Sequence, residues 1–565
     1  METKTYIVAL HKDIDYDLFW SEMESPTSGL PHIPDRAVRI VNSRDAFLRI
    51  CEYALTDDEA ERVRNDPRVV GVDLPVEDNP FVKIGIVSTQ TGNFNKQSGY
   101  IGSLASADYS DTTRINWGLI QHTNVSAYGT SLTTTENYKY VLDGTGVDII
   151  ISDTGIQSDH PEFQFLGNTT SRVQYIDWST YVPALSTMGN SYQDADGHGT
   201  QVCGIAAGKT YGWAKNSNIY SINVVGTNPG GFLDVLHAMK LFHTSKTNGR
   251  PTVVNMSWAT YINQSLFGTG TTQQMTNFLA NITGGSYQGN TYSGYTNVAS
   301  YGILANSSIS NDQLSWINGF PYPISTYDVA VDEMTGNGIV VCRAAGNSQY
   351  KVDKPAGAGG TGDWDNYITV ASTNVYYHRG FSPTSNNAIV VGALDTTTSG
   401  FAPLGRLQRA YYSNAGPGVD VYAAGTYIMS AGANTSPGTY FTTSFKTLND
   451  SGTSQASPQV AGIVALYLQA HPTATPAQVK TWVSSNSNTT LLYSHGNSTT
   501  YSDRTSLLGG SNGIAVAQLG GVTQIKTGTN SWNYVANVKI KTDATTWSNV
   551  KNIYTKTING WSQTF

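Results

Sequence analysis

Apolar positions in this chain fall into blocks whose spacing changes along its length. Val147-Asp148-Ile149-Ile150-Ile151 and Gly338-Ile339-Val340-Val341-Cys342 are nearly continuous apolar runs, the pattern of strands covered on both faces. Gly199 to Ala207 is a run of small and apolar residues that predicts a tightly packed helix. Gln455 to about Ala470, carrying Ala456, Val460, Ile463, Val464, Leu466 and Tyr467, predicts a longer one. Buried strands interleaved with such helices predict an α/β domain, a mostly parallel sheet between two helix layers.

The two ends read differently. Residues 1–80 alternate on a smaller scale: strand Tyr6–Leu10, helix Tyr16–Met23, strand Ala46–Tyr53, a helix from Thr56-Asp57-Asp58-Glu59 through Arg64, and strand Arg68–Val72. This is the order of a small α+β, ferredoxin-like unit, and 81–114 is a linker. Near the C-terminus, Ile525…Trp532, Ile540…Trp547 and Tyr554…Trp561 repeat within alternating apolar and polar residues. That pattern predicts β-hairpins over 520–565, with the three Trp expected to pack together.

Composition narrows the possibilities. Only 13% of the 565 residues are charged, 34 are Tyr, and the net charge of −8 argues against nucleic acid or an anionic membrane as the main partner. Cys51, Cys203 and Cys342 are an odd, widely spaced set that suggests buried apolar residues, neither a disulfide framework nor zinc. No run approaches 18 apolar residues, and Met1-Glu2-Thr3-Lys4-Thr5-Tyr6 leads into a strand without a signal region. The expectation is therefore a chain with neither a transmembrane helix nor a secretion signal.

Candidate chemistry sits where the predicted elements end. Asp153, in ISDTGI, follows the first buried run, His198, in DGHGTQ, opens the small-residue helix, and Ser454, in SGTSQASPQVAG, opens the long one. A serine hydroxyl is almost un-ionised at neutral pH, so it needs a base within reach, and the base needs an orienting carboxylate. A helix N-terminus favours a developing oxyanion nearby. Asn347 ends the second buried run in Ala-Ala-Gly-Asn, and an amide so placed suits an oxyanion donor.

These motifs, in the order Asp…His…Ser, make residues 115–515 resemble the subtilisin-like serine proteases. The compact loop Ala207-Gly208-Lys209-Thr210-Tyr211-Gly212-Trp213-Ala214-Lys215 is most similar to the proteinase K branch. The resemblance implies a serine endopeptidase with Asp153 orienting, His198 as base and acid, Ser454 as nucleophile and Asn347 as oxyanion donor. It further implies that Val254-Asn255-Met256-Ser257-Trp258-Ala259 pairs with the substrate backbone, and that Ser257, Trp258 and Ala259 line the pocket opposite Ala345 and Gly346.

Gln201 and Gln459 depart from the family's His at those positions, and Trp258 stands where a smaller aliphatic residue is usual. No cofactor is required. The family often binds calcium, and Asp420 in GVDVYAAG matches a cation-ligating position in some relatives, so structural calcium remains open although no residue set identifies a metal site. The N-terminal unit resembles a subtilisin propeptide, which implies an intramolecular inhibitor and a cut between about Leu74 and Asn116, soon after Asp78.

Residues 260–323, rich in Thr, Asn, Gly, Gln and Tyr, exceed what the resemblance needs. They are expected either as a flap or subdomain over the cleft, or as surface decoration. The tail resembles the Trp-containing β repeats of tailed-phage virion proteins, which implies location on a virion and other virion proteins as partners; otherwise the protein is extracellular. A second function stays open, a virion structural or attachment protein using the fold as a scaffold without proteolysis.

Overall fold

The computed structural model describes residues 3–43, 47–79, 82–86, 116–122, 142–165, 168–182, 193–224, 231–267, 277–294, 320–348, 350–395, 407–410, 412–435, 439–440, 445–487 and 492–493, together with six short strands between 524 and 563. The first unit runs β1 (Lys4–Leu10), α1 (Tyr16–Glu24), β2 (Ile40–Ser43), β3 (Ile50–Leu55), α2 (Asp57–Arg64) and β4 (Val69–Asp73). Its antiparallel sheet has the order β2-β3-β1-β4, so the expected ferredoxin-like layout is present. Asp15 caps α1 by accepting from Leu18 N, and Thr56 and Glu59 form a reciprocal capping box on α2. The strand expected from Ala46 begins instead at Ile50, because Ile50 N turns back onto the Phe47 carbonyl.

After β5 (Val82–Ile86) the main domain begins. Its elements are β6 (Asp148–Asp153), β7 (Val173–Tyr175), α3 (His198–Ala207), β8 (Asn218–Asn223), α4 (Phe232–Ser245), β9 (Thr252–Met256) and β10 (Trp258–Ile262). They continue with β11 (Ile282–Tyr287), β12 (Asn290–Ser293), α5 (Ser325–Gly336), β13 (Val340–Ala344), β14 (Tyr367–Val370), β15 (Thr373–Val375), β16 (Ile389–Asp395), β17 (Leu407–Arg409) and β18 (Val421–Ala424). The last helices are α6 (Thr453–Ala470) and α7 (Pro476–Ser485).

Seven strands, β7-β8-β6-β9-β13-β16-β18, run parallel. One face packs on α3 and α6 through Ile149, Ile151, Val202, Val460 and Val464. The other packs on α4 and α5 through Ile150, Val254, Leu236, Ala330 and Val341. Alternate residues of β6 thus enter opposite cores, which is why its sequence is apolar without a break. Cys51, Cys203 and Cys342 are buried free thiols.

The described part of 260–323 is neither a bare loop nor isolated decoration. The β11–β12 hairpin joins β14 and β15 in a second sheet, order β12-β11-β14-β15. Phe267, Phe278, Phe320, Tyr350, Ile368 and Tyr377 form a separate small core beneath it. In the tail lie three two-stranded hairpins with a shared register, Lys526↔Trp532, Lys541↔Trp547 and Lys556↔Trp561. The packing of these Trp lies outside the described residues.

The N-terminal unit rests on α4 and α5. Arg49 pairs with Asp332 at 2.9 Å and its backbone N–H donates to Glu333 at 3.1 Å, while Lys240 of α4 bonds the same Glu333 at 2.9 Å. The α5 N-terminus has no side-chain cap from its own N-cap residue, Ile324; Asp73 of β4 accepts from Thr326 N at 3.1 Å. Arg49→Ala is expected to weaken this junction by about 2 kcal/mol, as for hydrogen bonds between charged groups. Hydrogen exchange checks it: protection should fall in β4 and the first turn of α5 while β13 keeps its own.

Candidate active site

Asp153 ends β6 at the C-terminal edge of the parallel sheet, where open α/β sheets place their ligands. It is fully buried, and its Oδ1 accepts from Thr154 N at 2.8 Å and faces His198 Nδ1 at 2.7 Å. A carboxylate only accepts, so the neutral imidazole carries its proton on Nδ1 and leaves a lone pair on Nε2. That Nε2 is buried without a hydrogen-bond partner. An unsatisfied buried acceptor is costly, and here it is the atom a general base needs.

Asp194, not singled out in the sequence, holds the two loops in register. It accepts from Thr154 Oγ1 at 2.8 Å, from Gly197 N at 2.6 Å, and from Thr200 N and Oγ1 at 2.8 and 2.6 Å. Thr154 Oγ1 in turn accepts from Gly199 N at 2.8 Å. Burial pushes the Asp194 carboxyl above its ordinary range despite these donors. Gly199 leaves no room for a side chain, since a Cβ there would lie 2.2 Å from the Gly155 carbonyl oxygen. The readable signal was an Asp four residues before His198 in DADGH, which alone looks like a turn residue.

Ser454 occupies the first turn of α6, and its Oγ donates to the Ser257 carbonyl at 3.3 Å. Pro458 has no N–H to give the Ser454 carbonyl four residues back; Ser257 Oγ donates to it instead, at 3.1 Å. Asn255 Nδ2 bonds that hydroxyl at 3.0 Å, and Ser457 Oγ bonds Asn255 Oδ1 at 2.7 Å. The two unexpected glutamines bind the helices. Gln455 Nε2 donates to Gln201 Oε1 at 2.9 Å, joining the helix of Ser454 to that of His198. Gln459 accepts from Trp213 Nε1 at 2.6 Å and exchanges bonds with Asn116 at 2.8 and 2.7 Å.

Asn347 lies beside the same helix start. Its Oδ1 accepts from Thr453 N and Thr453 Oγ1, both at 2.8 Å, so the amide is oriented with its NH₂ turned away from Thr453. Gly346 needs its φ of 105°, and a Cβ there would meet the Phe381 ring at 2.2 Å. The Ala345 carbonyl is held by Asn414 Nδ2 at 2.8 Å. Ala259, Tyr261, Ala344 and Phe381 form an apolar cluster behind it.

Trp258 differs from its expected place as a pocket wall. Only 1% exposed, it donates through Nε1 to Ser152 Oγ at 3.1 Å and packs near Phe232 on the α4 side of the sheet. A strand's side chains alternate in direction, so Trp258 points to the core while its backbone stays at the strand edge. β5 pairs antiparallel with that edge, Trp258↔Ile86, Ala259↔Gly85 and Thr260↔Ile84. From the other side, Thr260 N bonds the Ser382 carbonyl and Ile262 N the Phe320 carbonyl.

Asp420 is held by two lysines and a backbone N–H. Its Oδ2 accepts from Lys480 Nζ and from Val390 N, each at 2.9 Å, and Lys354 Nζ is 3.4 Å from Oδ1. No group of three His, Cys, Asp or Glu among the described residues could hold a metal ion.

Burial by itself would depress the His198 pKa, but the charge of Asp153 and its hydrogen bond, aided by Asp450 and Asp196, lift it from 6.5 to about 9. A buried Asp–His pair whose helix is joined through Gln201–Gln455 to the helix that Ser454 opens, on a sheet between helices, is the layout of a serine hydrolase, although no hydrogen bond joins Ser454 to His198 Nε2 in this structure. The model of the Subtilase family (Peptidase_S8) matches residues 144–501, well over half of the chain, and the chain belongs to this family as a subtilisin-like serine protease.

It is similar to the "Extracellular serine proteinase" of Thermus sp. (strain Rt41A), 27% identical over 77% of this chain and 70% of that protein. It is also similar to "Subtilisin-like protease 3" of Pseudogymnoascus destructans, 27% identical over 84% of each chain. Among solved structures, fervidolysin from Fervidobacterium pennivorans, described as a keratinolytic enzyme related to subtilisin, matches with a TM-score of 0.47 and 16% identity. That match covers 92% of this chain and 60% of fervidolysin.

Because the base must be neutral to accept a proton, the acid limb of kcat/KM should lie above the ordinary histidine value of about 6.5. The sign for stability is opposite: the raised pKa stabilises the fold below that value, and this contribution disappears as pH rises through about 9. Asp153→Asn should lower kcat about 10⁴-fold through the wrong tautomer and move the acid limb back down, as read from a pH–rate profile.

Proposed function

We propose that the chain is a serine endopeptidase in which Asp153, His198 and Ser454 act together. Ser454 Oγ leaves the Ser257 carbonyl, passes its proton to His198 Nε2 and bonds to the substrate carbonyl carbon. The oxyanion is met by the Ser454 backbone N–H and Asn347 Nδ2. His198 then protonates the departing amine, and water repeats the steps on the acyl-enzyme. The observation that carries this reading is the 2.7 Å bond from His198 Nδ1 to Asp153 with a buried, unpartnered Nε2. A non-proteolytic scaffold would gain nothing from that costly atom.

We further propose that the chain is made as a zymogen with its own N-terminal unit as intramolecular inhibitor. Support comes from β5, which pairs with the edge of Trp258–Ile262 and follows on the unit docked against α4 and α5. The cut is then placed after β5, beyond Ile86 and later than the expected position soon after Asp78. Membership of the proteinase K branch rests on the tight loop 207–215, closed by Gly212 N to the Gly208 carbonyl and Ala214 N to the Ala206 carbonyl. For 520–565 we propose attachment to a virion, on the strength of the threefold hairpin register.

Two measurements on the full chain test the reading. A serine-directed phosphonate should label the wild type at Ser454 and leave Ser454→Ala unlabelled; equal labelling of both would refute the nucleophile. Mass spectrometry of the purified wild type should find a new N-terminus beyond Ile86 that Ser454→Ala lacks. A wild type that is labelled yet uncut would refute the zymogen and leave the protease standing.

A further inference from the structure

Side chains alternate along a strand, so Ser257, Ala259 and Tyr261 share one face of the segment that continues as β10, while Trp258 between them turns into the opposite core. Ser257 touches the helix of the nucleophile twice. Its Oγ donates to the Ser454 carbonyl at 3.1 Å, and its carbonyl accepts from Ser454 Oγ at 3.3 Å. Further along the same face, Ala259 and Tyr261 meet Ala344 of β13 and Phe381 in a buried apolar cluster. The Tyr261 and Phe381 rings pack edge to face with their centroids 4.9 Å apart.

Phe381 is fixed from both strands. Arg343 of β13 donates through Nη1 to its carbonyl. The next residue, Ser382, exchanges bonds with Thr260 of β10: Thr260 N donates to the Ser382 carbonyl at 3.1 Å and Ser382 N to Thr260 Oγ1 at 3.3 Å. Ser382 Oγ also accepts from Ile324 N at 2.7 Å. The ring held in this way is 1% exposed and lies against Gly346, where a Cβ would come within 2.2 Å of it. Gly346 directly precedes Asn347, the oxyanion donor of the proposed mechanism.

A substrate carbonyl carbon that bonds Ser454 Oγ, with its oxygen at Asn347 Nδ2, starts its own side chain between Ser257–Ala259 and Ala345–Asn347. The floor below consists of two buried alanine methyls, Ala259 and Ala344, and the Phe381 ring. We propose that Phe381 plugs the pocket for the residue before the cut and limits that residue to Gly, Ala or Ser, so that the enzyme cleaves proteins after small residues. This rests on the serine-endopeptidase reading above. A packed interior accepts extra methylenes only by moving side chains off their rotamers or shifting the backbone, and here the backbone on both sides of the ring is hydrogen-bonded. Phe381 also lines, with Arg343, Ala345 and Val352, a cavity of about 510 Å³. Shortening its side chain joins the space beside Gly346 to that volume.

Two serine-directed peptidyl phosphonates, identical except for alanine or phenylalanine at the residue before the phosphorus, test the plug by their rates of inactivation of the full chain. In the wild type the alanyl reagent should react about 100-fold faster. Phe381→Ala should keep the alanyl rate and raise the phenylalanyl rate at least about tenfold. Phe381→Val, which removes less of the core, should shift the ratio in the same direction by less. A wild type that reacts equally fast or faster with the phenylalanyl reagent overturns the plug and leaves the nucleophile standing. So does a Phe381→Ala variant that keeps its alanyl rate and gains nothing with phenylalanine. If neither reagent labels the wild type, the catalytic reading falls and takes the plug with it. If neither variant folds, the wild-type ratio alone decides.

Discussion

The contact between His198 Nδ1 and Asp153 Oδ1 organises this molecule because it is made where water cannot compete. Asp153 is fully buried and His198 nearly so, 5% exposed, so their attraction is weakly screened and the imidazole must be held by protein atoms alone. The surrounding structure can be understood as the means of holding it. β6 delivers the carboxylate from the sheet centre, Asp194 staples the two loops, and the Gln201–Gln455 bond fixes the helix of His198 to that of Ser454. Among the buried atoms left without a partner is His198 Nε2, and it is the one the chemistry uses.

A second theme is the replacement of separable groups by tethered ones. Gln459 fills a space between Asn116, Trp213 and the Ala424 carbonyl with its own amide. Asp73 caps a helix that belongs to another unit. Lys480 and Lys351 bring their ammonium groups onto the buried Asp420 and Asp363 carboxylates. Each exchange keeps buried polar atoms satisfied without drawing on a solute, and each links segments far apart in the chain.

Much of this was legible from residue order. The unbroken apolar run before Asp153 foretold a strand with two cores because each face of β6 meets a helix layer, and caps and alternation marked the two helices and three of the four strands of the first unit; β2, a four-residue edge strand, was missed. Asp153, His198 and Ser454 were recognisable because each ends or opens an element. What escaped were relations no local pattern carries. Trp258 had no sequence signal telling which way it points; the strand's alternation, set by pairing, turned it into the core. Asp194 looked like a turn residue, and Lys480, sixty residues after Asp420, gave no sign of being its partner. The insertion's small core forms only because 282–293 meets 367–375, a pairing between segments separated by α5 and β13.

The central claim is that Asp153 holds a buried imidazole by its Nδ1 proton and thereby raises its basicity. Proton NMR of that single hydrogen in the full chain measures this directly. The account predicts a far-downfield resonance, protected from exchange, that titrates near pH 9 and vanishes in Asp153→Asn. An imidazole that exchanges rapidly and titrates at its ordinary value of about 6.5 would contradict it.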